Sequence, residues 1–337
     1  MSVLTQEKVI IAFKNLGKFL ADSTDALESA MYSAQNTNAW FTPENIKKSI
    51  ASFSATLNEA DIDNWFQTIN ISSSPKKVGL ILAGNIPMVG LHDVLSVLAT
   101  GNTALIKLSS SDDKLIKAIL HQLIIIEPYF QDRIEYVERL KDFDAVIATG
   151  SNNSSRYFDY YFGKVPNIIR KNRNSVAVLD GTETSEDIQN LGADIFDYFG
   201  LGCRNVSKIY FPKGYDIAKF YEGIENYHPI INHFKYNNNY DYNKSIYLVN
   251  TAKHFDNGFL LLKEDENLSS PLAVLFYEEY TSLEDVGIKL TEQEENIQCI
   301  ITKADLHMKH YNFGESQHPK LWDYADNVNT IEFLNAI

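Results

Sequence analysis

Two hydrophobic rhythms succeed each other along the chain. Near the start, Ile10, Ile11, Phe13, Leu16, Phe19 and Leu20 recur close to the spacing of one helix face. Thr42-Pro43-Glu44 joins a capping hydroxyl to a proline at the first helical position, which predicts a helix start. The polar run Ser72-Ser73-Ser74-Pro75-Lys76-Lys77 interrupts this pattern. Beyond it, short apolar runs at 78–83, 104–108, 134–137 and 144–148 predict buried strands. Helical spacing at 88–99, 112–126 and 152–162 alternates with them, and Gly84-Asn85-Ile86-Pro87 and Gly101-Asn102 mark turns. Strands and helices joined by short turns predict parallel βαβ units with right-handed crossovers.

A second series follows. Strands are predicted at 176–179, 209–211, 245–249, 259–262, 273–276 and 297–302, and helices at 185–199, 216–225 and 282–292. The polar, tyrosine-rich stretch 236–245 reads as a surface loop or as a loop lining a site. No fixed-period repeat and no long linker divides the two series. The fold class is α/β, preceded by helices.

Composition narrows the function. The 337 residues are enough for roughly two domains. With 44 acidic against 30 basic side chains, the net charge of −14 argues against nucleic acid as a partner, because phosphate neutralisation needs clustered Lys and Arg. No run reaches the ~20 apolar residues of a membrane span. Glu7 and Lys8 stand where a signal peptide would carry its apolar region, so cytoplasmic residence is expected. Two cysteines exclude a disulfide scaffold and a Cys-rich zinc site. His307 and His310 lie three apart but read as solvated, so no metal is expected. GxxxxGK[ST] and GxGxxG are both absent.

The remaining chemistry centres on Cys203 in Phe199-Gly200-Leu201-Gly202-Cys203-Arg204-Asn205. Flanking glycines allow unusual backbone, and exposed N–H groups and Arg204 would lower a thiol pKa. The same pattern fits a small buried core thiol. Cys299, inside a predicted strand, reads as core.

Three ordered segments resemble the aldehyde dehydrogenase superfamily. Val78 to Pro87, followed by Gly101-Asn102-Thr103-Ala104-Leu105-Ile106-Lys107, is similar to its "PxG…WNFP…GNxxxxK" region. Thr149-Gly150-Ser151 is similar to "FTGS", and Gly200-Leu201-Gly202-Cys203 to "GQxC". Gly84-Asn85-Ile86-Pro87 and Lys107-Leu108-Ser109-Ser110 bring the chain nearest to the acyl-CoA reductase (LuxC-like) branch. The resemblance runs from Val78 to the C-terminus. It implies a Rossmann-type cofactor domain and an α/β catalytic domain, set here at 1–179 and 180–318, with 319–337 unassigned.

The same resemblance implies Cys203 as nucleophile and Asn85 as oxyanion-hole amide. Lys107 would meet the adenosine ribose of NADP(H) or NAD(H), and Gly150 and Ser151 its diphosphate. An ordinary turn or strand end remains the alternative for the last four. The implied reaction is reduction of an acyl-CoA or acyl-protein thioester to the aldehyde. The alternatives are aldehyde oxidation and a non-catalytic subunit of a fatty-acid reductase complex. Oligomerisation is left open.

Two departures bear on the choice. Where the superfamily carries its general-base glutamate, the chain reads Ile169-Arg170-Lys171-Asn172-Arg173. That glutamate activates a hydrolytic water, so its absence favours thioester reduction over acid release. The basic cluster Arg170, Lys171 and Arg173 offers a seat for an anionic partner or is a solvated loop. Asn267 stands where "EIFGP" has the glutamate of the nicotinamide ribose. Phe313-Gly314-Glu315-Ser316-Gln317 resembles a late loop near the substrate channel, or is plain surface.

Overall fold

The computed structural model describes residues 4–22 and 24–337, and of Asn152 the backbone alone. Four helices come first: α1 (Gln6–Ala21), α2 (Asp25–Thr37), α3 (Pro43–Thr56) and α4 (Glu59–Trp65). Thr42 caps α3 with Pro43 at its first position. Then β1 (Lys77–Ile81), α5 (Leu91–Ala99), β2 (Thr103–Lys107), α6 (Asp113–Ile126), β3 (Ile134–Tyr136), β4 (Ala145–Thr149), α7 (Asn152–Phe162) and β5 (Asn167–Arg170) build a parallel sheet of order β3-β2-β1-β4-β5. The expected helix from 88 begins three residues late, because Met88 is left-handed at φ 60°. The four-residue β5 carries too short an apolar run to stand out in the sequence.

The chain continues through β6 (Asn174–Val178), α8 (Ser185–Phe196), β7 (Val206–Pro212), α9 (Ile217–Gly223), α10 (Phe234–Val249), β8 (Phe255–Asp256), β9 (Leu261–Glu264), β10 (Val274–Tyr280), α11 (Leu283–Glu292) and β11 (Ile297–Ile301). They form a second sheet of order β11-β6-β7-β10-β9-β8, antiparallel only at β8. Side chains alternate across it, as strand geometry requires. Val176, Val178 and Tyr210 enter one apolar cluster, and Ala177, Leu179, Ile209 and Phe211 the other.

Two expectations fail together in this sheet's connections. Residues 236–245 are not a loop and 245–249 are not a strand, because both lie in α10. The buried positions Tyr236, Tyr240, Asn243 and Tyr247 follow helical spacing. The stripe escapes a hydrophobic scan because its members are tyrosines and an asparagine, with phenol rings packed inward. Tyr236 donates to the Phe259 carbonyl at 3.0 Å, and Asn243 to the Leu272 carbonyl at 2.9 Å.

The last helix, α12 (Thr330–Ala336), belongs to the first unit. Two compact units comprise residues 1–172 with 319–337, and residues 173–318. The division therefore falls before β6, which pairs with β7 and β11, seven residues ahead of the expected 179/180. The terminal segment joins the first core through Leu321, Ile331 and Leu334. Among the described residues no helix is long and apolar enough to cross a membrane.

Candidate active site

In the first unit, the candidate residues collect at one edge of the sheet. β1, β2 and β3 succeed one another in one direction, and β4 and β5 lie on the other side of β1. Strand order thus reverses between β1 and β4, and in open parallel sheets ligands bind outside the carboxyl ends at such a point. The turn carrying Asn85 follows β1, Lys107 ends β2, and Gly150 and Ser151 follow β4. Asn85, Lys107 and Ser151 are all exposed. Ser151 caps α7 by accepting the Ser154 amide at 3.3 Å, and the exposed amino end of the helix is a region of positive potential.

The Asn85 turn is held from outside. A Cβ on Gly84 would lie 2.4 Å from Ser109 Oγ, so only glycine fits there. Ser49 Oγ donates to the Pro87 carbonyl at 2.8 Å, and the Met88 amide donates to Asp112 Oδ2 at 2.6 Å.

Cys203 lies in the second unit, on the segment between α8 and β7, and its side chain is half-buried. The expected helix 185–199 stops at Phe196 because Tyr198, Phe199 and Gly200 turn left-handed in succession, at φ 54°, 60° and 76°. For each aromatic that conformation costs about 1–2 kcal/mol, so its neighbours must hold it. Asn205 does so on both sides. Its Nδ2 donates to the carbonyls of Asp194 and Asp197 at the end of α8, and its Oδ1 accepts the Gly202 amide at 2.8 Å. Ser175 Oγ donates to the Cys203 carbonyl at 2.8 Å and accepts the Cys299 amide at 3.1 Å. Asn205→Ala leaves those helix-end carbonyls without their side-chain donor. It should lower the unfolding free energy by about 2 kcal/mol in urea titrations.

Arg204 links this turn to the loop 313–317. Its Nη1 lies 3.3 Å from Cys299 Sγ and 3.4 Å from the Ser316 carbonyl. Burial disfavours the guanidinium charge, but Cys299, Tyr311 and Cys203 outweigh it, so its pKa lies above the ordinary arginine value. The loop is not plain surface: Phe313, Ser316 and Gln317 are buried. The Asp194 carboxylate accepts the Gly314 amide at 2.6 Å and the Ser316 amide at 3.0 Å. Burial pushes that carboxyl up to about 6 against these bonds. Asn205, Ser175 and Asp194 carry no motif of their own.

Other expectations change. Cys299 is core, 2% exposed, yet it abuts Arg204. Arg170 is no seat for an anion. It is 3% exposed, its Nη2 lies 2.6 Å from Asp93 Oδ1, and it also bonds the Ala325 carbonyl and Thr330 Oγ. Arg173 donates to the carbonyls of Glu294 and Ile297, leaving Lys171 as the exposed cation of the three. Asn267 bonds Asp265 within its own exposed loop. Among the described residues no three His, Cys, Asp or Glu gather as metal ligands.

Residues 14–220 match the family described as acyl-CoA reductase (LuxC), a span containing Asn85, Lys107, Gly150, Ser151 and Cys203. The chain belongs to the acyl-CoA reductase (LuxC) family. No curated protein sequence matches it. Solved structures share its fold at low identity. Aldehyde dehydrogenase 21 from Physcomitrella patens, in complex with the reaction product succinate, superposes with TM-score 0.69 at 11% identity, over 98% of this chain and 85% of that one. An oxidoreductase from Marinobacter aquaeolei gives TM-score 0.66 at 12% identity, over 95% and 80%. A Mycobacterium tuberculosis aldehyde dehydrogenase complexed with NAD+ gives 0.62 at 13%, over 88% and 72%. The fold of this family member is thus that of the aldehyde dehydrogenases, and the family is one of oxidoreductases.

Proposed function

We propose that this chain reduces a fatty acyl thioester to the aldehyde through a thioacyl intermediate on Cys203. The observation that carries the reading is the Cys203 turn. A half-exposed thiol follows the left-handed run Tyr198-Phe199-Gly200, in a turn that Asn205 and Ser175 hold in place, beside the half-buried Arg204. Strain kept at such a cost belongs to sites that need a preset geometry.

The carboxyl edge of the first sheet fits a nicotinamide dinucleotide. Lys107 offers an exposed cation at a strand end, and the amino end of α7 at Gly150 and Ser151 offers backbone N–H groups to a diphosphate. The bound cofactor supplies a hydride equivalent. Cys203 Sγ attacks the thioester carbonyl carbon, the carbon–sulfur bond to coenzyme A or the carrier breaks, and the thiol proton leaves with the released thiol. The resemblance assigns the oxyanion to the Asn85 amide and to the Cys203 backbone N–H, and a donor in that role is worth about 3 kcal/mol of barrier. Hydride on the thioacyl carbon would leave a thiohemiacetal alkoxide; its collapse breaks the carbon–sulfur bond, aldehyde departs, and Cys203 leaves as a thiolate that regains its proton from solvent.

Aldehyde oxidation needs a base for the hydrolytic water. In the stretch where the superfamily carries one, Arg170 is engaged with Asp93. The proposal is tested by mass spectrometry after mixing the protein with acyl-CoA and no cofactor. An acyl adduct should appear on the Cys203 peptide and not on the Cys299 peptide. It should persist until NADPH or NADH is added, and then leave as aldehyde. Rapid release of carboxylic acid without cofactor, or the absence of any adduct, would overturn it.

A further inference from the structure

The residue ahead of α6 does something other than cap it. An aspartate in that position normally accepts an amide of the first helical turn and stabilises the helix by about 1 kcal/mol. The Asp112 side chain makes no such bond. Its Oδ2 instead takes the Met88 amide at 2.6 Å, and its Oδ1 is buried with no hydrogen-bond partner among the described residues. The residue is only 2% exposed. Met88 is fully buried and left-handed, so this one bond secures a backbone conformation that a residue with a Cβ resists.

The opposite end of the Asn85 turn rests on the same short segment. Gly84 packs against Ser109, and the Asp112 amide donates to the Ser109 carbonyl at 3.1 Å. Residues 84–88 are therefore strung between Ser109 and Asp112, with Asn85 exposed near the middle.

We propose that Asp112 is a positioning residue for the Asn85 turn, its carboxyl fixing the Met88 amide so that Asn85 is presented at the carboxyl edge of the sheet. This rests on Asn85 as the oxyanion amide. Burial pushes the Asp112 carboxyl up to about 8, against the Met88 hydrogen bond that lowers it, so the group is mostly neutral at pH 7. An amide can therefore replace it.

Five variants decide the matter, read by the burst of free coenzyme A on acylation, by cofactor Kd and by thermal melting. Asp112→Ala should slow the burst about tenfold with cofactor Kd unchanged, and Asp112→Asn, which keeps the acceptor oxygen, should restore it. Asn85→Ala should slow the burst by itself. Adding Asp112→Ala to it should change the rate by less than about twofold, because the two act through one group. Asp112→Ser is the variant to read if Asp112→Ala fails to fold. Its hydroxyl can cap α6 but is too short to hold Met88. A folded Asp112→Ala or Asp112→Ser with an undiminished burst overturns the proposal, as does full additivity with Asn85→Ala. An undiminished burst in Asn85→Ala alone overturns the underlying assignment of Asn85.

Discussion

Cys203→Ala should reduce acyl-thioester reduction by at least about 10³-fold and remove the acyl adduct entirely. The expectation is sharp because the hydrogen bonds shown to hold the turn come from the side chains of Asn205 and Ser175. Asn205 holds the Gly202 amide and the α8 carbonyls, and Ser175 holds the Cys203 carbonyl. All of these bonds involve backbone, so the variant should keep its melting temperature while losing its chemistry. The measurement is NADPH oxidation against a panel of acyl-CoA lengths, paired with a melting curve. A variant that melts normally and still turns over at more than about a tenth of the parent rate would remove Cys203 from the mechanism.

The alternation of strands and helices was legible because parallel strands are buried on both faces and read as continuous apolar runs. It failed where burial is achieved by aromatic residues with polar tips. α10 hides Tyr236, Tyr240 and Tyr247, which a hydrophobic scan counts as polar. Helix ends were missed where left-handed residues intervene. Neither Met88 nor Tyr198-Phe199 announces a positive φ by residue type; Asp112, distant in sequence, holds the first, and Asn205 braces the turn of the second. The candidate site was legible at Cys203, Asn85, Lys107, Gly150 and Ser151 because these carry motif positions. Its supports, Ser175, Asp194, Asn205 and Asp112, were not. Each acts through bonds such as Ser175 to Cys203 and Asp194 to Ser316, which single-sequence spacing does not encode.

The basic stretch at 170–173 shows how charge alone misleads. Arg170 stands where a base is expected, and its guanidinium is spent on structure. Arg170 and Asp93 are 3% and 8% exposed and 2.6 Å apart. Arg170 also bonds the Ala325 carbonyl and Thr330 Oγ, which ties the C-terminal segment to the first core. Arg170→Met would leave the Asp93 carboxylate buried without its countercharge, at a cost of about 3–5 kcal/mol. Total stabilities run only to about 5–15 kcal/mol, so this is the largest stability loss expected from any substitution considered. Trp40, Trp65 and Trp322 all lie in the first unit, so urea unfolding followed by tryptophan fluorescence reads that unit selectively. Asp93→Leu combined with Arg170→Met removes both charges and should recover most of the loss. A residue of about 1–2 kcal/mol should remain for the bonds to Ala325 and Thr330. If the double variant is as unstable as Arg170→Met alone, the tie to the C-terminal segment, and not the ion pair, is what Arg170 contributes.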